Sequence, residues 1–185
     1  HSLTSEEDLA GIEAKGGVLE QVLKLRDQKM TRFIGITCHA DPVALKTALE
    51  RHDFDCTQMA LNAGMVAMKN GRGGMVPNEA MKASFETLAL PVAVRKKMGV
   101  IGMKVFAQDA LIGQSAPEKL LRYTLSLPVA TAVTGMPKLE HIEENVRIAK
   151  SFKPLSAAEM EQMSVALSMK NKASLDRFFR DHVDA

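Results

Sequence analysis

An α/β fold on a parallel sheet, of (β/α)₈ TIM-barrel type with four βα units in this chain, is what the sequence predicts. Two observations point there. Four short apolar runs alternate with helical patterns, an order that calls for parallel strands joined by right-handed crossovers. Polar residues recur where each run ends: Thr37 to His39, Gln58 and Asn62, Lys104 and Gln108, Thr134 and Gly135. Several strand ends feeding one mouth is the signature of a barrel. A doubly wound dinucleotide fold would show Gly-x-Gly-x-x-Gly after an early strand. Here the first clear strand runs into Gly35-Ile-Thr-Cys-His39, which lacks it.

The four strands are read at Arg32–Cys38, Cys56–Leu61, Gly99–Val105 and Val129–Thr134, short β-branched or apolar runs bounded by Gly, Pro and Asp. Before the first lies a helix from Gly17 to Lys29, with Val18, Leu19, Val22, Leu23 and Leu25 as its stripe. Asp41-Pro42 is an N-cap followed by proline at the first helical position, opening a helix to about His52. Ser84 to Lys97 is helical in pattern with Pro91 inside, so a kink or break is expected there. Its Arg95-Lys96-Lys97 end suits the negative pole of the helix dipole better than a nucleic-acid patch.

Further helices are read at Pro117–Ser126, Leu139–Lys150 and Ser156 to about Met169, with a last one at about Ala173–His182. Ser156-Ala-Ala-Glu159 is a capping-box pattern. Ala63 to Lys82, with Gly-Arg-Gly-Gly at 71–74, is expected to be a long mobile loop, a lid or crossover rather than a phosphate cradle, since no Gly-Lys-Ser/Thr follows.

Composition bounds the function. The chain has 185 residues, 46% apolar, enough for one domain. Its 24 Lys and Arg against 22 Asp and Glu argue against a dedicated nucleic-acid binder. No apolar run approaches the roughly 20 residues of a membrane span, and no signal peptide pattern opens the chain. A soluble cytoplasmic protein without a zinc site is expected. Cys38 ends one strand and Cys56 begins the next, a separation put at about 15–20 Å along the strands. No disulfide is expected, because a bridge needs Cα atoms within about 7 Å.

The strand count falls short of a closed barrel, which takes eight strands in about 250 residues. Four would leave two sheet edges open to pairing.

Taken in order and spacing, several segments point to one family. They are Gly17-Val-Leu-Glu-Gln-Val-Leu-Lys-Leu-Arg-Asp-Gln-Lys29, Arg32-Phe-Ile-Gly-Ile-Thr-Cys-His39, Phe54-Asp-Cys-Thr-Gln-Met59, Gly99-Val-Ile-Gly-Met-Lys-Val-Phe106, and Gly135 leading into Glu143-Glu-Asn145. In these the chain resembles the C-terminal half of an aldo/keto reductase, from the end of the fourth strand onward. The resemblance implies an NAD(P)H-dependent reduction of an aldehyde or ketone, with NADPH or NADH lying across the strand mouths.

Residue by residue, it implies that His1 orients the substrate carbonyl, as an imidazole donating to an oxygen on which charge develops. Read without the resemblance, His1 is equally a frayed terminus. Thr37 takes the place of a serine that bonds the nicotinamide carboxamide, Cys38 that of a common asparagine, and Gln58 that of another carboxamide partner. Met103 falls where many members stack a tyrosine on the nicotinamide, and is as readily core. Lys104, Phe106 and Gln108 are assigned to the pyrophosphate groove, and Gly135 to the turn before a helix whose N–H groups meet phosphate. Glu144 and Asn145 match adenine contacts, with a solvated helix face as the other reading of Glu143 and Glu144. His141 replaces the arginine that grips a 2′-phosphate, leaving NAD against NADP open. His39 and His52 receive no role.

The family's acid tyrosine, lysine and aspartate match nothing here. Tyr123, the only tyrosine, sits mid-helix among apolar neighbours and reads as core packing. The expectation is therefore a reductase portion that is inactive by itself, its open edges covered by a missing N-terminal half or a homodimer partner. The competing expectation is a non-catalytic half-barrel that binds a nucleotide or assembles as a dimer.

Overall fold

The structure, a computed structural model, describes residues 1–72, 74–81 and 83–168. In chain order the elements are α1 (Glu6–Glu13), α2 (Val18–Asp27), β1 (Gly35–Cys38), α3 (Pro42–Arg51), β2 (Cys56–Ala60), β3 (Met68–Gly71), β4 (Gly74–Pro77), α4 (Phe85–Arg95), β5 (Gly99–Met103), α5 (Pro117–Ser126), β6 (Thr131–Ala132), α6 (Leu139–Lys150) and α7 (Ala157–Leu167). The helix expected at 173–182 lies outside the described residues.

Local chemistry sets the helix starts. The Asp41 carboxylate accepts from the N–H groups of Val43 and Ala44 with Pro42 at the first position, and Ser156 with Glu159 forms the expected capping box. Helix α4 runs unbroken through Pro91, where a kink or break was expected. Pro91 lies on the exposed face, so its missing bond falls toward solvent, while Ala89, Leu90, Val92 and Ala93 hold the helix on the sheet. Helix α1, capped by Ser5, is an addition to the elements expected from the sequence.

The four parallel strands stand in the order β1-β2-β5-β6. That order rises steadily across the sheet, so right-handed crossovers put every connecting helix on one face. A doubly wound sheet would reverse at a switch point; a barrel arc does not. The strands are each one to four residues shorter than the sequence runs suggest. Leu3 adds a parallel bridge to Cys38 outside β1, its N–H bonded to the Thr37 carbonyl at 2.9 Å.

Alternation along the strands separates two faces. Ile36, Cys38, Thr57, Met59 and Val100 are buried on the helix side, where α3 and α4 pack on the sheet. Thr37, Gln58 and Ile101 form one row across β1, β2 and β5 on the other face and stay half-buried. The inner face is thus open. Beneath that row lie Gly35, Cys56 and Gly99, and a Cβ on Gly35 would stand 2.5 Å from the Cys56 sulfur.

The two thiols are free, as expected. Their spacing needs correction: Cys56 pairs with Gly35, three residues from Cys38, which strand geometry converts to about 11 Å rather than 15–20 Å. The side chains point to opposite faces, so no bridge forms.

The stretch from Ala63 to Lys82 is not irregular throughout. β3 and β4 pair as an antiparallel hairpin, Met68 opposite Pro77 and Gly71 opposite Gly74. Its base is tied down by Met68 N–H donating to the His39 carbonyl at 2.6 Å and Asn78 N–H to that of Ala67 at 2.7 Å. The two-residue connection between flanking glycines is the signal for it.

Candidate functional site

Beyond the C-terminal ends of β5 and β6 the chain encloses a cavity of about 750 Å³, within the range of small-molecule sites. Three segments wall it. Gln58 contributes from the inner face of β2, residues 103–109 run over one side, and residues 133–137 with the facing side of α6 close the other.

The 103–109 wall has an unusual backbone. Lys104, Ala107, Gln108 and Asp109 have φ of 58°, 49°, 56° and 66°, all in the left-handed region and none of them glycine. Such conformations are held only where surrounding structure enforces them. Turn bonds do so here: Ala107 N–H donates to the Lys104 carbonyl at 2.8 Å and Leu111 N–H to that of Phe106 at 3.2 Å. The N–H groups of Gln108 and Asp109 meet no acceptor among the described residues. The Lys104 ammonium donates to Gln108 Oε1 at 2.7 Å, fixing a positive charge on this wall.

Helix α6 presents His141, Glu144 and Asn145 to the cavity, a spacing that aligns them on one face. Asn145 Nδ2 donates to Thr134 Oγ1 at 3.2 Å and ties that face to the end of β6. Gln58 Nε2 donates to Met103 Sδ at 3.3 Å, and a thioether is a weak acceptor. Its amide therefore keeps most of its hydrogen-bonding capacity.

Gln58, Lys104, Phe106, Gln108, Gly135, His141, Glu144 and Asn145, all singled out in the sequence, meet around this one cavity. Thr37 and Cys38 are not among its lining residues. Thr37 is on the right face, in register with Gln58, but its Oγ1 accepts from Ser2 N–H at 2.7 Å and lies 2.8 Å from His1 Nδ1. The structure thus joins His1 to Thr37 rather than leaving it frayed. Cys38 is fully buried on the helix side, with Sγ donating to the carbonyls of Leu3 at 3.0 Å and Asp41 at 3.3 Å. Burial pushes its thiol up to about 11, and it has no access to a ligand. Following Thr37 directly, it must face the other way.

Met103 and Thr134 also line the cavity, as do Asp109 and Ile112, which the sequence reading passed over. Nothing in a one-dimensional pattern marks Asp109; only the left-handed turn aims it. His39, given no role, sits with Nε2 3.4 Å from Ser2 Oγ, and burial, then the Lys104 charge, holds its pKa below the ordinary imidazole value. Tyr123 is core, as expected, its hydroxyl donating to both Glu86 carboxylate oxygens at 3.1 and 2.9 Å. Glu143 is exposed and outside the cavity.

No protein-family model and no curated protein matches the sequence. Solved structures do. Aldo-keto reductase AKR11C1 from Bacillus halodurans, in its holo form, superposes with a TM-score of 0.59 at 17% identity, over 82% of this chain and 55% of that one. The fold is that of part of an aldo-keto reductase barrel. The apo form of the same reductase gives a TM-score of 0.57 at 17% identity, over 82% and 56% of the two chains. This chain therefore spans about half the length of the aldo-keto reductase it matches. The monotonic strand order and the open inner face are what a partial barrel of this type should have. No helix among the described residues is long and apolar enough to cross a membrane.

Proposed function

We propose that this chain supplies the dinucleotide-binding part of an NAD(P)H-dependent aldo-keto reductase that reduces an aldehyde or ketone to an alcohol in the cytoplasm. The observation that carries the reading is the convergence of Gln58, residues 104–108 and residues 135–145, distant in sequence, on one cavity. The donor set fits a dinucleotide. Gln58 has an under-used amide for a carboxamide; Lys104 and the N–H groups of Gln108 and Asp109 offer positive potential for a pyrophosphate. The turn at Gly135 leads into α6, whose Glu144 and Asn145 hold the adenine, with His141 toward the ribose.

When bound, the nicotinamide supplies the hydride. The residues of this chain bind, orient and position. In the tautomer this role requires, Thr37 Oγ1, which accepts from Ser2 N–H, donates its own proton to His1 Nδ1 2.8 Å away. The neutral imidazole then carries its hydrogen on Nε2, the atom that donates to a substrate carbonyl. Tyr123, held in the helix layer by Glu86, is not the acid. The acid comes from the remainder of the barrel, and the strands that cover the open sheet edges come from that remainder or from a partner copy.

Titration of NADPH and NADH fluorescence with the chain tests this. Saturable binding of at least one nucleotide, without carbonyl turnover by the chain alone, is expected. Failure to bind either removes the proposal. The lack of a tyrosine among the cavity residues favours one other reading, a half-barrel that binds the nucleotide without catalysis; turnover on joining the remaining barrel strands would exclude it.

A further inference from the structure

Charge is unevenly placed around the cavity. Among the described residues that line it, Lys104 is the only Lys or Arg, and its ammonium is held to Gln108 Oε1 on the same 103–109 wall at 2.7 Å. Asp109 and Glu144 supply carboxylates. The opposite wall, α6, brings no permanent cation: His141 offers an imidazole, while Arg147 and Lys150 line a separate groove on the outer side of the helix. Lys138, which caps α6, is exposed and outside the cavity.

Hydrogen-bonding chemistry on α6 points the same way. The Glu144 carboxylate only accepts. Asn145 spends an amide hydrogen on Thr134 Oγ1 at 3.2 Å, which leaves its carbonyl oxygen to face a ligand. His141 stands one turn before Glu144, a spacing that sets Cβ atoms about 5–6 Å apart, so a group beside the imidazole also meets the carboxylate's field. The start of α6 does little to offset this. Glu140 sits in its first turn, and the His141 N–H donates back to the Lys138 carbonyl at 3.2 Å. Such a wall suits a ribose hydroxyl, which can donate. It opposes a phosphate, whose oxygens accept and which carries about two negative charges.

NADPH differs from NADH by one such phosphate, on the ribose 2′-oxygen. We infer that the cavity takes NADH in preference to NADPH, because the α6 wall that holds the adenosine presents His141 and Glu144, which accommodate a ribose hydroxyl and repel a 2′-phosphate. This preference rests on the dinucleotide reading of the cavity, and the residues that set it belong to this chain, whatever strands complete the barrel.

Fluorescence titration of the full chain with NADH and with NADPH at pH 8 tests it. NADH is expected to bind at least about tenfold more tightly, the scale of one like-charge contact. Glu144→Gln can weaken both nucleotides through the adenine, but the ratio of the two affinities cancels that shared loss and is expected to narrow about threefold or more. His141→Arg, which sets a permanent cation on the same wall, is expected to narrow it too. A chain that binds NADPH as tightly as NADH, or more tightly, overturns the preference and leaves the site standing. Binding of neither nucleotide removes the site and the preference together. A ratio that neither variant moves also overturns it, since the α6 wall would then not set the choice.

Discussion

The Gln58 side-chain amide, on the inner face of β2, donates to the thioether of Met103 on neighbouring β5 at 3.3 Å. A sulfur so weakly accepting does not compete with a carbonyl oxygen, which leaves a positioned, under-satisfied donor at the cavity floor. Replacing Gln58 with Ala should weaken NAD(P)H binding roughly three- to tenfold, the worth of one net hydrogen bond. Calorimetry of the two proteins checks this, and equal affinities would remove Gln58 from the site.

Gly102 marks a close approach of α5 to the sheet. A Cβ there would lie 2.7 Å from Thr124 Cγ2, and Thr124 is fixed because its hydroxyl donates to the Leu61 carbonyl at 2.9 Å. Gly102→Ala should cost about 1–3 kcal/mol by overpacking. Adding Thr124→Ser, which removes the methyl and keeps the hydroxyl, should recover most of it. Urea unfolding of the single and double variants reads both outcomes; no recovery would place the strain elsewhere.

Glu86 and Tyr123 give a pH dependence. Burial raises the Glu86 pKa above the ordinary carboxylate value, opposed by the hydrogen bond from Tyr123. A group raised in the folded state contributes stability that is full below its unfolded pKa and is lost as pH rises through the folded one. Glu86→Gln, which keeps an acceptor for Tyr123 and cannot ionise, should therefore gain on the parent between pH 4 and pH 8. Unfolding at the two pH values tests it; a constant difference would contradict the burial argument.

The two cysteines should differ in reactivity. Cys38 is buried with a thiol near 11, whereas Cys56 is half-buried on the open face. Thiol titration at pH 8 should count one reacting group in the native chain and two after denaturation. Rapid native reaction of both would show that β1 is not packed against the helices as described.

Much of this architecture is legible in one dimension because its signals are periodic. Strand runs, the Asp41-Pro42 start and the Ser156 box each depend on neighbours a few residues away. What was not legible depends on long-range placement. The short α1 has few apolar positions, with Leu9 its only buried residue, so it shows little stripe. Pro91 was tolerated because the sheet holds α4 from the opposite side. Of the residues that line the cavity, Gln58, Lys104 and Asn145 are marked in the sequence by resemblance to a known pattern. Cys38 was misplaced because that pattern names a position without its facing, and Asp109 escaped because a left-handed turn, not a motif, brings it to the cavity.

The most direct test is hydrogen–deuterium exchange of the chain with and without saturating NADPH or NADH. A dinucleotide held beyond β5 and β6 should slow exchange in residues 103–109 and 134–145 and leave α1 to α3 unchanged. Protection elsewhere, or none with either nucleotide, would contradict the account.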